Sequence, residues 1–217
     1  MKLLFKYASM GRPELFKQTL QKYYSMLSNQ HPFEFIITLN EDDLTMNTED
    51  VKQFLHSFSN LKFKYGKYST KIEAINADME NADFDILIVI SDDMIPIVLN
   101  FDDVIVRDMK QHFPNLDGAL HYNDSIQNEN FITQTIMGKK LYDYFGYIYN
   151  PIYKSFSCDC EFTDIVRIRN KVVYIPKMII KHEHKGDDAD NTYRKNSSFL
   201  KRDQMIYLNR KAQGFPK

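Results

Sequence analysis

DILIVISDD, residues 85–93, is the stretch of sequence that decides the fold. Five consecutive aliphatic residues are followed directly by a serine and two aspartates. A short aliphatic run of this kind is typical of a strand buried on both faces, as in the centre of a parallel sheet. Ligands of open α/β sheets bind at the carboxyl ends of the strands, so Ser91, Asp92 and Asp93 stand where a ligand site is expected.

Strand and helix patterns alternate on the N-terminal side of this run. The predicted strands are Lys2–Tyr7, Phe33–Leu39 and Leu61–Tyr65. The predicted helices run from Pro13 towards Ser28, over Val51–Phe58, and over Thr70–Asn81 behind a capping Ser69. Alternation of this kind predicts an α/β domain with a doubly wound, mostly parallel sheet and flanking helices.

The second half of the chain is less regular. Helices are predicted over Phe101–His112, Lys139–Phe145, Cys160–Arg169 and roughly Asn191–Lys211. Extended segments are predicted over Leu116–Tyr122, Asn130–Met137, Val172–Ile175 and Met178–His184. We therefore expect one α/β domain over residues 1–189 and a helical C-terminal extension over residues 190–217.

The composition excludes several classes of protein. The chain is 43% hydrophobic and 26% charged, as ordinary globular domains are, and its seven glycines argue against a glycine-rich phosphate loop. Its longest aliphatic run, Ile86–Ile90, is too short to span a membrane. Cys158 and Cys160 are poor disulfide partners at this spacing, which fits a reducing compartment. We expect a cytoplasmic protein.

The C-terminal extension is basic. Between Arg194 and Lys217 there are seven basic residues and a single acid, Asp203, which leaves a surplus of six positive charges. A helix of this kind either packs back on the domain with its charges in water, or binds an anionic partner such as a membrane surface or a nucleic acid.

Polar clusters follow three of the predicted strands. They are Ser9–Arg12, Asn40–Asp43 and Ser91–Asp93. Paired carboxylates at such an edge can hold Mg²⁺ or Mn²⁺ and leave coordination positions open for a diphosphate. A solvated turn is the alternative explanation for two adjacent aspartates.

Two histidines add to this pattern. His182 and His184 are two residues apart in a predicted strand, so their side chains share a face. Imidazole is a suitable further ligand for Mn²⁺. A surface His-x-His pair also arises by chance, so the pair alone does not establish a metal site.

Asp159 and Glu161 lie near the start of a predicted helix, in the sequence SCDCEFTD. An acid among small residues at a helix start suits a general base in a pocket. Asp159 is also a natural capping residue for free helix amides, and the two roles are compatible.

Seven short segments, in their order along the chain, resemble glycosyltransferase family two and its relatives with the GT-A fold. These segments are KYASMGRPELF, FIITLNEDD, STKIEAINADM, ILIVISDDM, DGALHYNDS, SCDCEFTD and VVYIPKMIIKHEH. The resemblance spans about Lys2 to Lys185. It implies a metal-dependent transfer of sugar from a nucleoside-diphosphate-sugar, with UDP-sugar as the first expectation, to an acceptor hydroxyl with inversion.

The resemblance also implies roles for individual residues. The expected nucleotide-sugar-binding residues are Ser9, Arg12, Glu41, Asp42, Lys71, Asn76 and Asp92. Ser91-Asp92-Asp93 takes the place of the family's Asp-x-Asp motif, with Ser91 where an aspartate is usual. Asp93 is therefore the expected ligand of Mn²⁺ or Mg²⁺, and His182 or His184 would add a contact. Asp159 is the expected catalytic base, with Glu161 in reserve.

Other functions stay open at this point. A nucleotidyltransferase would use the same carboxylates with a nucleoside triphosphate, although the chain has no glycine-rich signature loop. A nucleotide-sugar-binding module without catalysis is the non-enzymatic alternative, because Ser91 departs from the family motif. The acceptor of a glycosyltransferase would be a saccharide, a glycolipid or a modified nucleic-acid base.

Overall fold

The computed structural model describes residues 1–183, 194 and 196–216. Nine strands are found in this part of the chain: β1 (Leu3–Ser9), β2 (Phe33–Asn40), β3 (Leu61–Gly66), β4 (Ile86–Ile90), β5 (Met94–Pro96), β6 (Ala119–Tyr122), β7 (Ile136–Gly138), β8 (Val172–Ile175) and β9 (Ile180–His182). The helices with defined bounds are α1 (Pro13–Met26), α2 (Glu49–His56), α3 (Lys71–Asn76), α4 (Phe101–His112), α5 (Lys139–Phe145), α6 (Cys158–Ile168) and α7 (Leu200–Ala212).

Seven strands form one mostly parallel sheet, in the order β3-β2-β1-β4-β7-β6-β8. The pairs β3–β2, β2–β1, β1–β4 and β6–β8 are parallel. The strand β7 is antiparallel to both β4 and β6. The predicted α/β class with a mostly parallel sheet is confirmed. The strand order changes direction between β1 and β4, where such sheets place their ligands.

Helices cover both faces of the sheet, and β1 shows why. Successive side chains of a strand point to opposite faces. Leu3, Phe5 and Tyr7 pack into a core shared with α1, α2 and α4, whereas Leu4 packs into a second core shared with α3, α5 and α6. The run Ile86–Ile90 is buried throughout, as predicted for a central strand.

The strands β5 and β9 form a separate antiparallel ribbon. Met94 pairs with His182 in this ribbon, and the Glu183 amide donates to the Asp93 carbonyl over 2.7 Å. The ribbon therefore fixes His182 beside the aspartates that follow β4. The sequence did not predict β5, because three residues are too few to show a period.

The helix predicted over Thr70–Asn81 is wrong at its end, since α3 stops at Asn76. The next residues, Ala77 and Asp78, are extended and left-handed, with Asp78 at φ 64°. The Asn76 side chain binds the backbone of residues 148 and 149, and the Asp78 carboxylate accepts from Thr38. These tertiary hydrogen bonds fix the two side chains, and the chain leaves the helix instead of forming another turn.

Other predicted bounds change as well. Within the segment predicted as extended over Asn130–Met137, only the end joins a strand, β7. The strand predicted over Met178–His184 shortens to β9. The helix predicted from Cys160 begins two residues earlier, at Cys158, because the left-handed Ser157 (φ 61°) precedes the first turn. Asp159 thus lies inside the first turn of α6.

The helix α7 packs on the domain through ion pairs with α6. Arg210 binds the buried Glu161 with its Nε at 2.7 Å, and Lys211 binds Asp164 at 2.8 Å. Arg202 pairs with Asp203 at 2.6 Å. Two of the six surplus positive charges, those of Arg210 and Lys211, are therefore matched by acids of α6, which favours packing over capture of an anionic acceptor. Among the described helices, none is long and apolar enough to cross a membrane.

Candidate functional site

A cavity of about 750 Å³ opens at the carboxyl ends of β1, β2 and β4. It also extends to α3, to the start of α6 and to the β5–β9 ribbon. Seven of the residues predicted from the sequence line it: Ser9, Arg12, Lys71, Asp92, Asp93, Asp159 and His182. Residues that are distant in the chain meet there because parallel strands end at the same edge of a sheet.

Asp92 is the buried anchor of this site. Its Oδ1 accepts hydrogen bonds from the Tyr7 hydroxyl at 2.6 Å and the Ser9 hydroxyl at 2.8 Å. Its backbone carbonyl accepts from the Thr19 hydroxyl of α1 at 2.8 Å. Arg12 lies 3.9 Å from Oδ2. Burial raises the pKa of Asp92 to about 6, and the hydrogen bonds and the arginine only partly oppose this shift.

Asp93 faces His182 across the cavity wall. The Asp93 Oδ2 lies 3.5 Å from the His182 Nε2, and the Ser91 hydroxyl donates to the other carboxylate oxygen. Burial would raise the pKa of Asp93, but the hydrogen bonds from His182 and Ser91 and the charge of Lys71 outweigh it, so the pKa falls well below its ordinary value. Asp93 is therefore an ionised, charge-stabilised carboxylate.

The pair formed by Asp93 and His182 fits a divalent cation. Carboxylate oxygen and imidazole nitrogen each lie about 2.0–2.2 Å from such an ion, so atoms 3.5 Å apart can share one. No cluster of three histidine, cysteine or acidic ligands occurs in the described part of the chain. A two-ligand set suits an ion that completes its shell with water and substrate phosphates.

Asp159 lies on the same cavity, in the first turn of α6. Its Oδ1 accepts from the Cys160 amide at 2.9 Å. Burial raises the pKa of Asp159, and the charge of Lys71 acts in the opposite direction. A carboxylate with a raised pKa beside an open cavity is suited to accept a proton from a substrate.

Four predicted site residues are not brought to the cavity wall. Glu161 is 2% exposed and accepts from Arg210 of α7 and from Tyr153 and Asn150, so its carboxylate is occupied by partners within the fold. Asn76 bonds to the backbone of residues 148 and 149. Glu41 pairs with Lys67 at 3.2 Å, and Asp42 is exposed. His184 lies outside the described residues.

A buried lysine beneath the cavity was missed by the sequence reasoning. Lys6 is fully buried in β1 and donates to the hydroxyl of Thr38, a cavity-lining residue of β2. The same hydroxyl donates to Asp78 at 2.7 Å. Burial lowers the pKa of Lys6 to about 8. The available signal was a lysine within the apolar run of β1, which the periodicity alone treats as an interruption.

Several solved structures share the fold of this chain. No protein-family model matches the sequence, and no curated protein matches it at a significant level. A mannosyltransferase from Pyrobaculum calidifontis, solved with GDP-Man and Mn²⁺, aligns with a TM-score of 0.70 at 10% identity over 96% of this chain. Residues 1–349 of TarS from S. aureus, solved with UDP-GlcNAc, align with a TM-score of 0.65 at 13% identity over 86% of this chain. This chain has a GT-A-type fold.

This chain covers only part of the length of these two proteins. The chain spans 64% of the mannosyltransferase and 60% of the TarS fragment. A third structure, 4-diphosphocytidyl-2C-methyl-D-erythritol synthase from Anaerococcus prevotii DSM 20548, aligns with a TM-score of 0.57 at 11% identity, over 92% of this chain and 96% of the synthase. The shared fold therefore includes proteins of more than one activity, and the side chains at the strand ends must decide between them.

The raised pKa of Asp92 predicts a specific dependence of stability on pH. In the folded state the Asp92 carboxyl keeps its proton up to about pH 6, whereas in the unfolded chain it loses the proton near pH 4. The contribution of Asp92 to stability is therefore full below pH 4 and is lost as the pH rises through 6. Asp92→Asn keeps an acceptor for Tyr7 and Ser9 but cannot titrate. The free energy of unfolding of the variant, relative to that of the wild type, should therefore rise by about 2 kcal/mol between pH 4.5 and pH 7.

Urea unfolding of both proteins at the two pH values measures this difference, and other titrating groups cancel in the comparison. If the variant and the wild type differ by the same free energy of unfolding at both pH values, Asp92 has an ordinary pKa in the folded state.

Proposed function

We propose that this chain is a metal-dependent glycosyltransferase that moves a sugar from a nucleoside-diphosphate-sugar, with UDP-sugar as the first expectation, to an acceptor hydroxyl. One observation carries the proposal. The pair Asp93–His182 and the carboxylate of Asp159 line one cavity of a GT-A-type fold, at the carboxyl end of the buried strand β4. The mannosyltransferase and TarS structures with their bound nucleotide-sugars give further support.

The cavity is lined by both cationic and anionic side chains. Arg12 and Lys71 line the cavity and would provide positive charge for a diphosphate, and Arg12 also lies 3.9 Å from the Asp92 carboxylate. Ser9 lies near Arg12 but donates its hydroxyl to Asp92, so it shapes the floor of the pocket. Such fixed charges bind and orient a diphosphate leaving group without reorganisation during the reaction.

The chemistry assigned to Asp159 is proton removal. Its carboxylate takes the proton of the acceptor hydroxyl while that oxygen attacks the anomeric carbon from the side opposite the diphosphate, which inverts the anomeric centre. Asp93 and His182 would hold Mn²⁺ or Mg²⁺, which when bound offsets the negative charge of the leaving diphosphate. The acceptor proton thus passes to Asp159, and the glycosidic bond to the nucleotide breaks as the new one forms.

Metal dependence is the first expected outcome. In calorimetry, UDP should bind the wild type more tightly with Mn²⁺ than with a chelator. Asp93→Asn and His182→Ala should each reduce this metal-dependent gain by at least about 10-fold, because each removes a ligand. Asp117→Asn is the control, since Asp117 pairs with Lys171 away from the cavity. Equal UDP affinity with and without chelator would refute the metal assignment.

The base assignment leads to a second expected outcome. Asp159→Asn keeps the oxygen that accepts from the Cys160 amide but cannot take a proton. Turnover of the donor should fall by roughly 10²–10⁴-fold while UDP affinity is retained. Glu161→Gln is the matched variant on the same helix turn. It should cost about 3 kcal/mol of stability by breaking the pair with Arg210, and leave turnover of the folded protein close to wild type.

Loss of activity in Glu161→Gln, with normal activity in Asp159→Asn, would move the base to Glu161. Normal activity in both variants would mean that this segment has only a structural role.

A nucleotidyltransferase is the second candidate function, because the synthase from Anaerococcus prevotii matches this chain over nearly the full length of both proteins. The loop after β1 contains one glycine, Gly11, rather than a glycine-rich phosphate cradle. A panel of nucleotide-sugars and nucleoside triphosphates with Mn²⁺ separates the candidates. Release of nucleoside diphosphate from a nucleotide-sugar supports the glycosyltransferase, and release of pyrophosphate from a triphosphate supports the alternative. Tight nucleotide-sugar binding without turnover indicates a binding module.

A further inference from the structure

Asp203 is the single acidic residue between Arg194 and Lys217, and it is fully buried in the first turn of α7. Its Oδ2 accepts hydrogen bonds from three consecutive backbone amides, those of Lys154 at 3.1 Å, Ser155 at 2.8 Å and Phe156 at 2.9 Å. Its Oδ1 accepts from Arg202 at 2.6 Å. Successive amides turned towards one oxygen form an anion-binding concavity, and here a side chain of the same protein fills it.

The loop held in this way touches two parts of the cavity. Ser155 and Phe156 line the cavity themselves, and the loop leads through the left-handed Ser157 into the first turn of α6, which carries Asp159. In the other direction, the Lys154 carbonyl accepts from the Ile72 amide at 3.2 Å, next to Lys71 at the start of α3. One carboxylate therefore fixes the backbone between the candidate base and a candidate diphosphate-binding lysine.

We propose that Asp203 is a positioning residue: it holds the backbone of residues 154–156 so that Asp159 keeps its place on the cavity wall relative to Lys71. This inference rests on the proposed function, because it assigns Asp203 an effect on turnover that is exerted through Asp159. Asp203 itself does not line the cavity and contacts no substrate. It acts through three hydrogen bonds to the loop, each of them strengthened by the negative charge of the acceptor.

A purely structural role for Asp203 would be to dock α7 on the domain, and α6 offers a residue that does only this. Asp164 accepts from Tyr207 at 2.7 Å and pairs with Lys211 at 2.8 Å, so it joins α6 to α7 as Asp203 does. Asp164 makes no hydrogen bond to the 154–156 loop. Asp164→Asn therefore weakens the attachment of α7 and leaves the carboxylate under the loop in place.

The test compares Asp203→Asn with Asp164→Asn by hydrogen exchange, UDP binding with Mn²⁺, and donor turnover. In Asp203→Asn, the amides of residues 154–156 should exchange about 10-fold faster, because the charge-assisted bonds are lost. The kcat should fall about 10- to 100-fold, while the Kd of UDP changes by no more than about threefold. In Asp164→Asn, the loop should exchange as in the wild type, and kcat should stay within about twofold.

Two results would overturn the inference. The first is unchanged exchange of residues 154–156 in Asp203→Asn, and the second is an equal loss of kcat in both variants. If Asp203→Asn does not fold, the wild type supplies the test: the loop amides should be protected to the same degree as those of α7, and faster exchange in the loop refutes the contact. Absence of any donor turnover by the wild type, with loop exchange as expected, would refute the proposed function and leave the Asp203 contact established.

Discussion

The buried carboxylate of Asp92 is the constraint on which the site depends. Removing an ionised group from water is costly, and the hydroxyls of Tyr7 and Ser9 offset part of that cost. Both donors come from β1, the strand that pairs in parallel with β4, so the anchor can form only when this register is correct. Because Asp92 is held beneath the sheet edge, the next residue, Asp93, is directed into the cavity and towards His182. The two adjacent carboxylates therefore have different surroundings, and the pKa of Asp92 is raised whereas that of Asp93 is lowered.

The candidate site is assembled from segments that are far apart in the chain. The β5–β9 ribbon brings His182 to Asp93, and the N-terminus of α6 brings Asp159 to the same cavity. The sheet alone does not determine the chemistry, since a mannosyltransferase and a diphosphocytidyl-methylerythritol synthase share its architecture. The side chains at the strand ends carry the chemistry, and in this chain the Ser91 hydroxyl donates to Asp93 where a second acid would repel it.

The sequence was most informative where a pattern reflects a general constraint. A buried run followed by acids identified β4 and the sheet edge at which the cavity opens, and alternation identified the parallel sheet. The sequence was less informative where the position of a side chain depends on a partner that no pattern shows. Asn76 and Glu161 have the residue types of binding and catalytic groups, but each finds its partners inside the fold, in the 148–149 backbone and in Arg210. The C-terminal charge surplus left two alternatives open for the same reason, because a count of basic residues does not show which of them are paired with acids such as Glu161 and Asp164.

The contact between Asp203 and the 154–156 loop has a consequence for the order in which the protein forms during synthesis. Asp203 follows Phe156 by 47 residues, a stretch that a ribosome adds in about 2–10 s. Throughout that interval the strands β1 to β4 have already left the ribosome and can pair, whereas the three loop amides still lack their acceptor. The part of the cavity formed by β1 to β4 can therefore form before the loop that leads to Asp159 is anchored, and a chain interrupted in that interval would have an incomplete cavity.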